Sequence, residues 1–198
     1  MAQLSFYSAE ANPPARGDLA GLLCGPARLV SFGGVTARLS VPLADAWRGQ
    51  ALKRALADRG VDATLYTTGD GLLLRTAFRR DLTALAAAWT AGEAKLIPSN
   101  LALAGAALRL WVLAAGDWID AGYLLRLDPL AADTHEPLTK VVTACGLPAT
   151  PYNAEDGGPG LRISGRRRLA RLAELVGGPP SAVAESHWPA VCRVRQTA

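Results

Sequence analysis

Lysine is scarce in this chain of 198 residues: Lys53, Lys95 and Lys140 stand against 18 arginines. Cysteine is equally rare. Cys24, Cys145 and Cys192 are odd in number and far apart, which excludes a disulfide framework and a CxxC metal knuckle and leaves reduced, buried thiols. Histidine occurs twice, at His135 and His187, with no ligand spacing around either. No apolar run reaches the roughly 18 residues that a membrane helix needs. The most apolar stretch, Leu96 to Gly116, is interrupted by Pro98, Ser99, Asn100 and Arg109. The N-terminus, MAQLSFYSAEANPPARGD, has neither the basic start nor the continuous apolar core of a targeting signal. A cytoplasmic protein without a membrane partner is therefore expected. GxSxG, HExxH, P-loop and dinucleotide fingerprints are also missing.

What is present is a half-apolar chain with 19% charged residues, a net charge of +4 and a pI near 9.2. Such a composition excludes disorder and suits one large domain or two closely packed halves. The positive charge is carried by arginine, whose planar fork binds two oxygens of a phosphate or carboxylate at once. That balance permits nucleic-acid binding without demanding it.

Residues 1–15 read as an N-terminal arm ending in Asn12-Pro13-Pro14. RGDLAGLLC (16–24) reads as a short apolar helix with Asp18 at its acidic start. Strands at 27–32 and 35–41 follow, joined by Gly33-Gly34, a strong hairpin signal. A helix over 44–59 stops at Gly60; a second hairpin pairs 63–68 with 72–78 around Gly-Asp-Gly; and Asp81 caps a helix to Gly92. The order then repeats. Ser99 caps a helix to Gly116, a strand covers 123–127 with its partner near 128–135, and a helix covers 137–145. A strand near 149–152, an Asp-Gly-Gly-Pro-Gly turn, the strand 161–164 and a last helix before Pro179-Pro180 complete it. The expected fold is α+β, with two pseudo-symmetric αββαββα halves at 16–95 and 96–180 and a C-terminal tail at 181–198.

This plan, with the words LAGLLCGPARL, KLIPSNLALAGAALRLWVLAAGD and LRISGRRRLARLAELVGGPP, resembles the LAGLIDADG homing-endonuclease family. Lys95, Ile97, Pro98, Leu108 and Trp111 match the family's K-x-I-P…L…W stretch in type and order. The resemblance implies saddle-shaped antiparallel sheets, a monomer whose internal pseudo-symmetry stands in for a dimer, and two motif helices packed on the pseudo-two-fold axis. It also implies one carboxylate from each helix end, holding Mg²⁺ for phosphodiester cleavage. The family's acid positions fall here on Pro26 and Ala115, which offer no side-chain oxygen. No metal site and no cofactor are therefore expected. Asp117 and Asp120 are the nearest substitutes, but two residues of slippage turn a helical side chain by about 200°, so both read as a solvated turn after the helix. His135, in a loop with Asp133 and Glu136, is a further catalytic candidate.

The family binds double-stranded DNA on the outer faces of its sheets. Strand alternation places Arg28, Thr36, Arg38, Ser40, Thr64, Tyr66, Thr68 and Arg75 on that face in the first half, with Arg126, Asp128 and Arg162 in the second. The nucleic-acid or ligand set is Arg28, Arg38, Tyr66, Arg75, Arg126, Tyr152 and Arg162. Two functions fit: DNA binding without cleavage, or recruitment of the same concave face for a small-molecule ligand or reaction.

Overall fold

The computed structural model describes residues 8–69, 71–120, 122–154 and 158–190. The first seven residues of the arm, Asp70 and residues 155–157 in the two expected turns, and the end of the tail with Cys192 lie outside the described residues.

A 3-10 turn (Arg16–Leu19) runs into helix α1 (Ala20–Cys24), then strands β1 (Arg28–Phe32) and β2 (Thr36–Leu43), helix α2 (Ala46–Ala57), strands β3 (Ala63–Thr68) and β4 (Gly71–Thr76), and helix α3 (Thr83–Trp89). A small hairpin, β5 (Thr90–Ala91) and β6 (Ala94–Lys95), leads to the second set. That set is α4 (Gly105–Ala115), β7 (Gly116–Ile119), β8 (Gly122–Arg126), α5 (His135–Ala144), β9 (Thr150–Ala154), β10 (Gly158–Ile163) and α6 (Arg166–Val176). The two four-stranded antiparallel sheets have the same order, β1-β2-β4-β3 and β7-β8-β10-β9. The expected two-half, pseudo-symmetric α+β arrangement is thus the observed one.

Local chemistry explains the matching turns. Gly33 and Gly34 both have positive φ (59° and 70°), as the β1–β2 hairpin requires, and Val35 N–H closes the turn on Phe32 C=O at 3.2 Å. Helices α2 and α5 end alike. Gly60 and Gly146 take the left-handed conformation, and the N–H of buried Val61 or Leu147 reaches back to the carbonyl of Leu56 or Val142.

The core lies under both sheets and is centred on α1 and α4. Alternation along β2 turns Ala37, Leu39, Val41 and Leu43 inward, while Leu161 and Ile163 do the same on β10. Helix α4 is buried on nearly all sides, its apolar stripes meeting α1, α2 and α6. Gly21 sets the α1–α4 spacing: a Cβ there would lie 1.7 Å from the carbonyl oxygen of Ala107. Small residues permit the close approach of the two helices at this crossing.

Several elements depart from the sequence reading. Helix α4 begins at Gly105, not Ser99, because Leu101 and Leu103 alternate inward with exposed Ala102 and Ala104 in an extended lead-in. The partner of β8 is β7, directly after α4, and 128–135 is a loop with a 3-10 turn (Ala132–Thr134). Asp117 is therefore a strand residue, not part of a solvated turn. Asp81 caps nothing through its side chain; it forms a two-pronged pair with Arg79 at 2.9 and 2.7 Å. Asp128 is buried, off the open face. The described part of the tail packs against the body: a 3-10 turn (Ala182–His187) leads to Trp188, whose indole N–H donates to Gly177 C=O and whose ring lies under Arg109.

Candidate nucleic-acid interface

Ladder pairing determines which side chains share a face. On the first sheet, Arg28 opposes Ser40, Ser40 opposes Arg75 and Arg75 opposes Thr64, with Val30 opposite Arg38 and Tyr66 opposite Leu73. On the second, Asp117 opposes Leu124, Leu124 opposes Arg162 and Arg162 opposes Thr150, with Gly160 between Arg126 and Tyr152. Period-2 alternation thus gathers Arg28, Arg38, Arg75, Arg126 and Arg162 on the outer faces, together with Tyr66 and Tyr152. Asp117 is the one acid in these face-sharing rows.

Three of the arginines lie against aromatic rings. The guanidinium of Arg38 is 4.5 Å from the Phe78 centroid, Arg75 is 5.9 Å from Tyr66, and Arg162 is 5.7 Å from Tyr152. In all three, Nε is buried and has no hydrogen-bond partner among the described residues. Arg28 is differently placed: its Nη2 pairs at 3.1 Å with Asp128, which also meets Lys95 Nζ at 3.0 Å.

The same registers identify the internal equivalents of the motif helices. Val61 and Leu147 occupy matching turns, so Thr64 matches Thr150, three residues further on. The ladder then matches Arg75 with Arg162, Ser40 with Leu124, and Arg28 with Asp117. Two residues earlier, Pro26 matches Ala115. Both line one cavity of about 330 Å³, with Asp45, Arg48, Asp117 and Arg126 among its other walls. The cavity joins the two halves beneath the helix ends.

Each helix end holds a cation instead of presenting an acid. Arg48, only 4% exposed, donates from Nη1 to the carbonyls of Val112 (3.3 Å) and Leu113 (3.0 Å) and from Nη2 to Gly116 C=O (2.7 Å). It thereby caps the C-terminus of α4, where the helix dipole is negative. Its Nε also pairs with Asp45 at 3.1 Å, and Asp117 lies 3.9 Å from Nη2. Lys95 Nζ donates to Gly25 C=O at the end of α1 at 2.7 Å. Asp117 is fastened from the other side as well, by His187 Nδ1 at 3.0 Å. The carboxylates that share the cavity with Pro26 and Ala115, Asp45 and Asp117, thus already lie beside Arg48. No group of three potential ligands that could hold a metal occurs among the described residues.

The other candidates are dispersed. Asp120, in the β7–β8 turn, is exposed and does not line the cavity. His135 begins α5, its Nε2 2.8 Å from Asp128 C=O, and lines a separate 710 Å³ cavity with Glu136, Thr139, Tyr152 and Asn153. Cys24 is buried, its thiol pushed far up by desolvation and donating to Ala20 C=O; Cys145 is raised by partial burial. Trp89 and Trp111 are core residues. Arg48 escaped the sequence reading, although its spacing with Leu52 and Leu56 puts it in the apolar stripe of α2, which is the signal of a buried cation.

Burial alone would raise the Asp128 carboxyl, but Lys95, the Leu130 N–H and Arg28 outweigh it and hold the group below its ordinary value. A depressed folded pKa contributes stability that is complete above the unfolded carboxylate range and is lost as pH falls through the folded value. Asp128→Asn is expected to lower stability at pH 7 by about 2 kcal/mol and to flatten the acid limb of denaturation midpoints measured from pH 7 to pH 3. An unchanged acid limb would contradict this account of the cluster.

No protein-family model matches the sequence, and a search of curated proteins finds no significant relative. Solved structures do match. A homing endonuclease, I-WcaI, bound to its DNA recognition sequence, is similar with a TM-score of 0.59 and 14% identity, over 89% of this chain and 83% of that one. Mesophilic variants of the homing endonuclease I-DmoI give 0.53 and 14%, over 83% and 96%. At such identity the likeness establishes the homing-endonuclease fold.

Proposed function

We propose that this chain binds double-stranded DNA across its two outer sheet faces and does not cleave it. The observation that carries the reading is the arginine-rich face: five arginines shared between both sheets, three of them beside aromatic rings, with a single acid in the same rows. Guanidinium groups so placed suit phosphate oxygens and guanine edges. The similar fold of a DNA-bound homing endonuclease supports the same partner.

The proposed absence of cleavage rests on the helix ends. Phosphodiester hydrolysis of the kind the fold resemblance implies needs hard carboxylate oxygens converging on Mg²⁺. Pro26 and Ala115 supply none, and Arg48 brings a fixed positive charge to the end of α4. A divalent cation there would meet a guanidinium held by three carbonyls.

The runner-up is a small-molecule ligand. It is favoured by the 710 Å³ cavity beside Tyr152 and His135, a volume within the range of ligand sites. Fluorescence-anisotropy titration of a mixed-sequence duplex at two salt concentrations separates the two. DNA binding predicts affinity that falls with salt, with Arg38→Ala and Arg126→Ala each weakening it. Each phosphate contact removed should lower the salt slope by about one unit. Negligible, salt-independent binding by every variant would sink the DNA reading and promote the ligand.

A further inference from the structure

Resting on the DNA-binding reading, we infer that the target contains two guanines in inverted relation about its centre, one read by Arg75 and one by Arg162.

Three observations converge on these residues. The first is symmetry: Arg75 opposite Thr64 and beside Tyr66 recurs as Arg162 opposite Thr150 and beside Tyr152. The recurrence is confined to the β3–β4 and β9–β10 pairs. On β1–β2 and β7–β8, Ser40 corresponds to Leu124, Arg28 to Asp117, and by the same register Arg38 to Gly122. A protein whose two halves are related by a pseudo-dyad presents identical chemistry to inverted positions of a duplex, as two-fold dimers do to palindromic sites.

The second is orientation. Each guanidinium rests near a tyrosine ring with its Nε buried and unpartnered among the described residues, and each arginine is only half-buried, so the two terminal nitrogens are the end left for a ligand. That end-on fork matches the paired N7 and O6 acceptors of guanine in the major groove, where arginine makes the commonest base-specific contact. The third is absence of competition. Among the described residues no carboxylate pairs with Arg75 or Arg162, in contrast to Arg28, which is tied to Asp128. Arg38 stacks on Phe78 in the first half and has glycine as its equivalent, so the site departs from a perfect palindrome on one side.

Selection of bound duplexes from a randomised library tests this with the full chain. The expected product carries two inverted guanines, each preferred over the other bases by about ten- to a hundredfold. Arg75→Ala should erase one preference and Arg162→Ala the other. Arg75→Lys keeps the charge but loses the fork, so it should erase the same preference while retaining most affinity for unselected DNA. Its retained binding also shows that the variant is folded. Salt-dependent binding without inverted guanines, or loss of both preferences on one substitution, overturns the inference and leaves the DNA reading in place. If no duplex is retained at low salt, the reading and the inference both fall.

Discussion

Arg48→Met is expected to destabilise the protein by about 3–5 kcal/mol, the range for removing one partner from a buried charged network. The side chain is 4% exposed and binds the carbonyls of Val112, Leu113 and Gly116 where α4 ends; of these, the Val112 carbonyl also receives the Gly116 N–H. Methionine restores much of the apolar volume but none of the donors, and it leaves Asp45 and Asp117 facing each other's charge across the cavity. Chemical denaturation measures the loss. Arg48→Lys should recover only part of it, because one ammonium cannot reach three carbonyls and a carboxylate in the geometry of a planar fork. A loss below about 1 kcal/mol would mean that water satisfies the end of α4 without help.

Gly21→Val should be as damaging by a different route. A single added carbon would sit 1.7 Å from the Ala107 carbonyl oxygen and 2.5 Å from its carbon, so backbone rather than a yielding side chain is in the way. Helices α1 and α4 would have to separate by more than an ångström at the centre of the one core that both sheets share. Overpacking of flexible positions usually costs about 1–3 kcal/mol, and a rigid backbone clash at this crossing should exceed it. The expected outcome is a fall in melting temperature of at least about 10 °C, or insoluble protein. Gly34→Ala is the control. It meets nothing within 4 Å, so its smaller penalty comes from positive φ alone.

Much of this was legible in the sequence because the deciding forces are local. Gly33-Gly34 imposes its hairpin, Gly60 ends its helix, and alternation in TARLSVPL assigns Arg38 and Ser40 to the outer face. What escaped depends on tertiary context. Strand β7 follows α4 with no turn residue between them other than Gly116 itself, so a helical period appeared to run on to the glycine and then stop. The lead-in at Leu101 and Leu103 is apolar enough to pass for helix, and only packing shows its period of two. The tail looked featureless because its binding groups, Trp188 and the His187 carbonyl, find partners some 60 to 70 residues away at Trp118 and Tyr123. At the candidate site, the absence of a side-chain oxygen at Pro26 and Ala115 was readable. The cations at the helix ends were not, since a carbonyl-capping arginine leaves no motif beyond its place in an apolar stripe.

Binding without cleavage is tested most directly by incubating the purified protein with supercoiled plasmid in Mg²⁺ or Mn²⁺ and following both mobility shift and topology on the same sample. The account predicts a salt-sensitive shift with the plasmid remaining supercoiled throughout. Reproducible metal-dependent nicking or linearisation, abolished by Asp117→Ala, would contradict it and place a working acid two residues beyond Ala115.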